Sequence, residues 1–328
     1  KMPMVMKSGM IGSMQETSTF DQNHLNLLFG AEKERTQVVV NLHSHHVFSG
    51  EDSETKGEFE VEEAYGTYRF SDLLTLKSGF FLTPFGIYNS IRYITPLFAT
   101  VVLPQMYEMP ANYNSEQLPE PLHANLMPQQ SNFMLTGRYI GSFFDTEYSL
   151  FVTNGFRGES GRDENTDKGF GGRIRVIAVD RYKLGLSIFS GNDSLKDADT
   201  ADDFGKVLKI GFDIEILLLD ELWKMEYEFV RDDFENRAHR YSFYVRTTLN
   251  IGSFSPFASF DFAKDNDHAL YKKGQARYSL GSGYSLSETV TLKAEYHFHV
   301  FNNADAAPVL SNGLDEIHMF RGAIIFAF

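Results

Sequence analysis

The sequence predicts an all-β fold, a transmembrane antiparallel up-and-down β-barrel of about 16 strands. Three observations predict it. Apolar and polar residues alternate with a period of two, the connections alternate between short and long, and no apolar run approaches the ~20 residues that a membrane-spanning helix requires. The mean hydropathy of −0.27 fits such a barrel, because each strand alternates lipid-facing with lumen-facing residues.

The period-two pattern is clearest in segment 208–218. Its even-numbered positions are all apolar, whereas its odd-numbered positions include Lys209, Asp213 and Glu215. Segments 223–229, 241–249 and 292–300 repeat the pattern. On a helix these charges would surround the whole circumference, but a strand sorts them onto one face.

The complete chain contains sixteen segments of this kind. They lie near 3–13, 24–33, 36–48, 57–68, 72–83, 132–143, 146–156, 169–179, 182–191, 205–218, 221–232, 239–250, 256–265, 273–283, 289–301 and 316–328. No helical period long enough for a crossover separates them. We therefore expect residues 1–328 to form one antiparallel meander in a single domain.

The connections between these segments differ in length in a regular way. The short ones are 70–72, 144–145, 180–181, 219–220, 252–255 and 286–288. The long ones are 49–56, 84–131, 157–168, 192–204, 233–239, 266–272 and 302–315. Short turns at one rim and long loops at the other are typical of barrels in the bacterial outer membrane. This regular difference in length predicts a location in the bacterial outer membrane, with both termini on the periplasmic side.

The long connection 84–131, which is the third extracellular loop by topology, differs from the others in size and composition. It holds seven of the ten prolines, namely Pro84, Pro96, Pro104, Pro110, Pro119, Pro121 and Pro128. A loop of this length without repeating structure is usually functional. We expect it to be extracellular by topology and to fold into the lumen.

Two adjoining stretches resemble a strand pair of the broad phosphate-selective-porin-like group. They are EAYGTYRF at 63–70 and LTLKSGFFLTPFG at 74–86. The resemblance implies an outer-membrane porin, and in general porins of sixteen strands the third loop narrows the lumen. It also admits a homotrimer, although no lipid-facing patch in the sequence marks an interface. Phosphate selectivity is not expected, because the net charge is −14 and a dense basic ladder is missing.

The C-terminal segment 322–328 is similar to the terminal assembly signal of outer-membrane proteins. It ends in Phe328 with another aromatic, Phe326, two positions before it. The glycine usual in that signal would fall at Ala323, whereas this chain has it at Gly322. The segment therefore supports the outer-membrane prediction with one departure from the pattern.

The inward faces of the strands supply the candidate pore-lining residues. They are Lys77, Arg138, Glu147, Arg173, Arg175, Lys209, Asp213, Glu215, Lys224, Glu226, Glu228, Arg246, Asp261, Lys293 and Glu295. One interpretation is a transverse field across a constriction, which would orient dipolar solutes and tune ion selectivity. The other is cross-strand charge pairing, which any wide polar lumen requires.

Several classes of function are excluded or disfavoured. The chain has no cysteine, so disulfides, thiolate catalysis and Cys-based metal sites are excluded. Its acidic balance argues against nucleic-acid binding. No nucleophile, phosphate-loop or zinc-protease motif occurs, so we expect neither an enzyme nor a cofactor. His43/His45 and His297/His299 share strand faces without the spacing of a metal centre, and the acidic loops 158–167 and 193–203 lack calcium-loop spacing, so no metal is predicted.

The sequence thus predicts passive diffusion of small hydrophilic solutes or ions through a polar lumen narrowed by loop 84–131. Outer-membrane lipid and lipopolysaccharide are the expected surroundings, and the acidic total suggests a mild cation preference. Two alternatives stay open. One is a non-conducting barrel that acts as a scaffold or sheath for a partner protein, and the other is a soluble all-β binding protein.

Overall fold

The computed structural model describes eleven parts of the chain. They are residues 2–6, 17–18, 24–45, 59–92, 98–107, 130–154, 168–192, 205–235, 239–265, 274–301 and 316–326. The predicted strand residues 7–13, the acidic loops 158–167 and 193–203, and residues 93–97 and 108–129 of the third loop lie outside them.

The described residues form seventeen strands and one short 3-10 helix, Asn89–Ile91. The strands are β1 (Met2–Met6), β2 (Thr17–Ser18), β3 (His24–Lys33), β4 (Thr36–His45), β5 (Phe59–Ser71), β6 (Leu74–Leu82), β7 (Gln130–Ile140), β8 (Phe144–Thr153), β9 (Gly169–Ala178), β10 (Tyr182–Asn192), β11 (Lys206–Leu218), β12 (Trp223–Phe234), β13 (Arg240–Leu249), β14 (Phe254–Asp265), β15 (Gln275–Ser285), β16 (Val290–Phe301) and β17 (Glu316–Phe326). Among these residues no helix has the length and apolarity to cross a membrane.

The strands pair in chain order. From β3 to β17, each of fifteen strands is antiparallel to the next one along the chain. The last strand, β17, then pairs with the first strand, β1, and β1 pairs with β2. This up-and-down antiparallel order, with the last strand paired to the first, is the strand order of a barrel, as the sequence predicts.

The two faces of each strand have opposite character. In β11, Val207, Lys209 and Asp213 are buried, whereas the intervening Leu208 and Ile210 are exposed. Exposed apolar side chains facing outwards and buried charged side chains facing inwards are the arrangement of a barrel surrounded by lipid. The same pattern of exposed apolar residues recurs in β10, where Leu184, Leu186 and Ile188 are exposed.

The turns at one end are tight, and their bounds differ slightly from the predicted ones. The predicted turn at 144–145 belongs to β8, because β8 begins at Phe144 and the turn occupies 141–143. Likewise, the segment 70–71 lies within β5 and β14 begins at Phe254. These strands run past the polar residues that predicted a turn, because backbone pairing continues to the last residues before the reversal. The tight-turn end is called the short-turn end below.

Candidate functional site

The interior of the barrel holds two segments of the long connection between β6 and β7. The first, 83–92, follows β6 directly, and the second is 98–107. Their apolar side chains Phe85, Tyr88, Phe98, Met106 and Tyr107 join a buried cluster with inward-facing residues of the wall. Together the two segments are called the inner loop.

The first segment is fixed at its start by its own polar groups. Thr83 Oγ1 lies 2.8 Å from Ser131 Oγ, at the start of β7, and Asn89 Nδ2 donates to the Thr83 carbonyl oxygen at 2.9 Å. Phe85, which is fully buried, sits directly on the inward face of β11. A Cβ added to Gly211 would lie 2.7 Å from the Phe85 ring, so the glycine makes room for this contact.

The same segment is anchored to β10 and β12. The backbone N–H of Gly86 donates to Ser187 Oγ at 3.3 Å, and that of Ile87 donates to the Glu228 carboxylate at 3.3 Å. The Tyr107 hydroxyl donates to the same carboxylate at 2.5 Å and 2.7 Å. Burial, followed by the charge of Glu228, raises the pKa of the Tyr107 hydroxyl well above its usual value. Tyr107 therefore stays a neutral donor around pH 7.

Tyr88 makes a similar contact with Glu226, which lies two residues before Glu228 on β12. Its hydroxyl donates to the Glu226 carboxylate, and its backbone N–H donates to the Tyr107 hydroxyl oxygen at 3.0 Å. Burial, and then the charge of Glu226, raises the pKa of Tyr88 well above its usual value. Gly86, beside this pair, has φ +68°, which a residue with a side chain adopts only with strain.

The second segment is anchored to β14, β15 and β16. The N–H groups of Val101 and Val102 donate to the two oxygens of the Glu295 carboxylate at 2.9 Å and 2.8 Å. Gln105 N–H donates to Asp261 Oδ1 at 3.3 Å. Buried backbone N–H groups require acceptors, and wall carboxylates provide them here.

Two cationic side chains of the wall donate hydrogen bonds to backbone carbonyl groups of this segment. Arg277 Nη2 donates to the Leu103 carbonyl oxygen at 2.6 Å. Lys293 Nζ donates to the carbonyl oxygens of Phe98 and, at 3.3 Å, Thr100. Several candidate pore-lining residues, among them Glu228, Asp261, Lys293 and Glu295, thus contact the inner loop.

A further set of ion pairs lies deep in the wall. Arg173 makes a bidentate pair with Asp213, at 2.7 Å and 2.9 Å. Lys209 Nζ lies 2.5 Å from Asp232 Oδ2, which also accepts from Arg240 at 2.6 Å. These groups are almost entirely buried. Each of these buried cations therefore lies against a carboxylate, and Lys209 and Arg240 share Asp232.

A second set of pairs lies nearer the short-turn end, and its members range from buried to partly exposed. It links Arg138 to Asp145 at 2.5 Å, Arg175 to Glu147, Lys183 and Lys224 to Glu215 at 3.6 Å and 3.3 Å, and Lys224 and Arg246 to Glu226 at 2.6 Å and 3.6 Å. Lys77 lies apart from these groups, and its ammonium is 3.5 Å from the centre of the Tyr65 ring.

A cavity of about 200 Å³ separates the inner loop from the wall formed by β7, β8 and β9. Its lining residues are Pro84, Gly86, Ile87, Ser90, Met134, Thr136, Glu147, Tyr148, Ser149, Arg173 and Arg175. The inner loop is therefore attached mainly to the β10–β12 and β14–β16 walls, and it reaches β7 through Thr83 and Ser131, whereas the cavity borders the rest of the β7–β9 wall.

The histidines make contacts within the wall. His43 Nδ1 is 3.1 Å from Glu62, which a bulge between β4 and β5 brings to the inward face, and His297 lies between Ser279 (2.7 Å) and Glu295 (2.9 Å). The side chain of His45 and residue His46 lie outside the described part. Within the described ranges no group of three or more His, Asp or Glu residues could hold a metal ion.

Some residues of the interior were missed by sequence reasoning. They are Ser187, Asp232, Arg240 and Arg277, together with the loop residues Tyr88 and Tyr107. The alternation of β10, β12, β13 and β15 places the first four on the inward face, so the signal for them was present. For the two tyrosines, no pattern in the proline-rich segment distinguishes an anchor from an exposed side chain.

Comparisons with known proteins give structural neighbours only. No protein-family model and no curated protein matches the sequence. OmpF of Salmonella typhi, solved in complex with daunomycin, is similar with a TM-score of 0.64 and 11% identity, over 99% of this chain and 94% of that one. The anion-selective porin from Comamonas acidovorans gives 0.61 and 12%, over 100% and 99%. The outer-membrane channel DcaP of Acinetobacter baumannii gives 0.55 and 10%, over 99% and 94%. At these identities the neighbours show that the chain has the fold of a porin barrel.

Proposed function

We propose that the protein is an outer-membrane channel through which small hydrophilic solutes diffuse passively, and that the inner loop narrows its lumen. The observation that carries the proposal is the cavity on one side of the inner loop. Its backbone and tyrosines bond to β10, β12 and β14–β16, and beyond the Thr83–Ser131 contact at the start of β7 a polar cavity lies between it and β7–β9. The solute path in this proposal runs along the β7–β9 wall.

The lining of that cavity fits a path for hydrated solutes. Arg175, Glu147 and Ser149 project from the wall, and Ser90 of the inner loop is exposed opposite them. Charged and hydroxyl groups replace part of the water shell of a passing solute, whereas Pro84 and Ile87 keep the passage from binding it tightly. The porin fold of the barrel supports the same proposal.

Conductance across a planar bilayer tests the channel. Purified, folded protein should insert as discrete steps of stable conductance. A folded barrel that never conducts would refute the channel and favour the scaffold or sheath, which should then carry a stoichiometric partner in native membranes.

Thiol modification tests the path. The chain has no cysteine, so Ser90→Cys introduces a single thiol beside the cavity. A bulky, charged, thiol-specific reagent added to open channels should then lower their conductance. Ser190→Cys is the matched control, because Ser190 is exposed on the outward face of β10. Full conductance after complete modification of Ser90→Cys would place the path elsewhere.

The predicted orientation belongs to the same proposal. If both termini are periplasmic, the short-turn end faces the periplasm and the long connections face the medium. Asp220→Cys, in the exposed turn between β11 and β12, should resist a membrane-impermeant thiol reagent on intact cells and react once the outer membrane is permeabilised. Labelling on intact cells would reverse the orientation. A homotrimer stays a prediction.

A further inference from the structure

Charged side chains near the short-turn end form one connected network of ion pairs around the wall. Arg138 contacts Asp145 and Glu147, and Arg175 bridges Glu147 to Glu215. Lys183 and Lys224 both contact Glu215, and Lys224 continues to Glu226. Cation and carboxylate alternate across β7, β8, β9, β10, β11 and β12. The four partly exposed cations and the four carboxylates of this network balance in number, and Glu226 also contacts the buried Arg246 at 3.6 Å.

The two signs differ in exposure. The side chains of the four cations are 26–47% exposed, whereas those of the four carboxylates are 2–29% exposed, and Glu215 and Glu226 are almost fully buried. Long basic side chains keep their charged heads in water, so the exposed part of these four side chains carries positive charge. A neutral network of this geometry presents positive charge to a solute.

We infer that this arc makes the lumen selective for small anions, with Arg138, Arg175, Lys183 and Lys224 as its selectivity-determining residues. These four are called the basic belt. The inference rests on the proposed channel function and names the class of solute that it favours, namely small inorganic anions and small carboxylates. It contradicts the mild cation preference that the net charge suggests.

The net charge of −14 does not govern the field in the lumen, because salt screens distant charges. At physiological ionic strength the screening length is about 8 Å. By sequence, much of the acidic excess falls in the long connections, and segment 193–203 alone has five aspartates and one lysine. A solute within the lumen therefore responds to the nearest exposed groups, which are those of the basic belt.

The reversal potential in a KCl gradient across a planar bilayer measures this selectivity. We expect a chloride-to-potassium permeability ratio of about 2 to 5 near 0.1 M salt, falling towards 1 at 1 M, where the screening length is about 3 Å. In Arg138→Gln/Lys183→Gln the ratio at low salt should fall to 1 or below. Lys183→Gln alone should move it in the same direction. Within the described residues the Lys183 ammonium makes one ion pair, a 3.6 Å approach to Glu215, so this variant should fold normally.

Arg231→Gln is the matched control. It removes one positive charge from the outward face of β12, where Arg231 pairs with Asp233, and should leave the ratio unchanged. A ratio of 1 or below in the unaltered protein at low salt overturns the inference while the channel stands. So does a ratio that Arg231→Gln lowers as much as the belt variants do. No current at all would overturn the channel itself, and this inference with it.

Discussion

Replacing Glu295 by glutamine should loosen the second segment of the inner loop by a predictable amount. The carboxylate accepts the N–H groups of Val101 and Val102, one on each oxygen, and is only 1% exposed. An amide of the same volume keeps one acceptor oxygen and turns the other position into a donor. One N–H group therefore loses its partner. Because a hydrogen bond to a charged group contributes about 1.5–3 kcal/mol, local opening should become easier by at least that amount.

Hydrogen exchange in detergent micelles measures the change directly. Since 1.36 kcal/mol corresponds to tenfold, amides of residues 98–107 should exchange about 10- to 100-fold faster in Glu295→Gln. Glu235→Gln is the control, because the exposed Glu235 carboxylate accepts the Lys206 N–H far from this segment. Unchanged protection of 98–107 in Glu295→Gln would refute the anchoring role of the carboxylate.

Three further changes follow from the turns and the loop. Gly86→Ala should lower the free energy of unfolding by at least about 1–3 kcal/mol, because φ is +68° and the new Cβ would lie 1.8 Å from Glu228 Oε1; urea unfolding of the folded barrel measures it. Val179→Asn should raise the free energy of unfolding by up to about 1 kcal/mol, because Val179 is exposed at φ +53° and asparagine tolerates that conformation better. An unchanged or lower urea midpoint would contradict this. The raised pKa values of Tyr88 and Tyr107 mean that the folded state retains protons which the unfolded chain releases above pH 10, so stability should fall as pH rises beyond 10, and Tyr107→Phe should reduce that slope.

The sequence predicted the strands well because their signal is local. Alternation within β11 is enough to separate Lys209 and Asp213 from Leu208 and Ile210, whatever the rest of the chain does. The turn lengths then set the order and direction of the strands. The predicted bounds were wrong at Phe144 and Phe254, where the strand includes one or two residues that were assigned to the turn, because backbone pairing continues through them.

The partners of the inward residues were not predictable in the same way. Ile87 and Glu228 are 141 positions apart, and Val101 and Glu295 are separated by 194. Their meeting depends on the path of a proline-rich segment that has no period. Alternation fixes the side of the wall on which a residue lies, but it does not fix whether a backbone N–H group, a cation or water lies opposite.

Lys209 and Lys224 illustrate the difference. Both occupy inward positions on adjacent strands with the same alternation, yet Lys209 is fully buried against Asp232 whereas Lys224 is partly exposed over Glu215 and Glu226. The inner loop helps to explain why an acidic chain can present basic groups to its lumen. Its backbone N–H groups need acceptors, and inward carboxylates such as Glu295 supply them. Acidic groups are thus taken up as structural anchors, and the cations near the short-turn end are left at the surface that a solute meets.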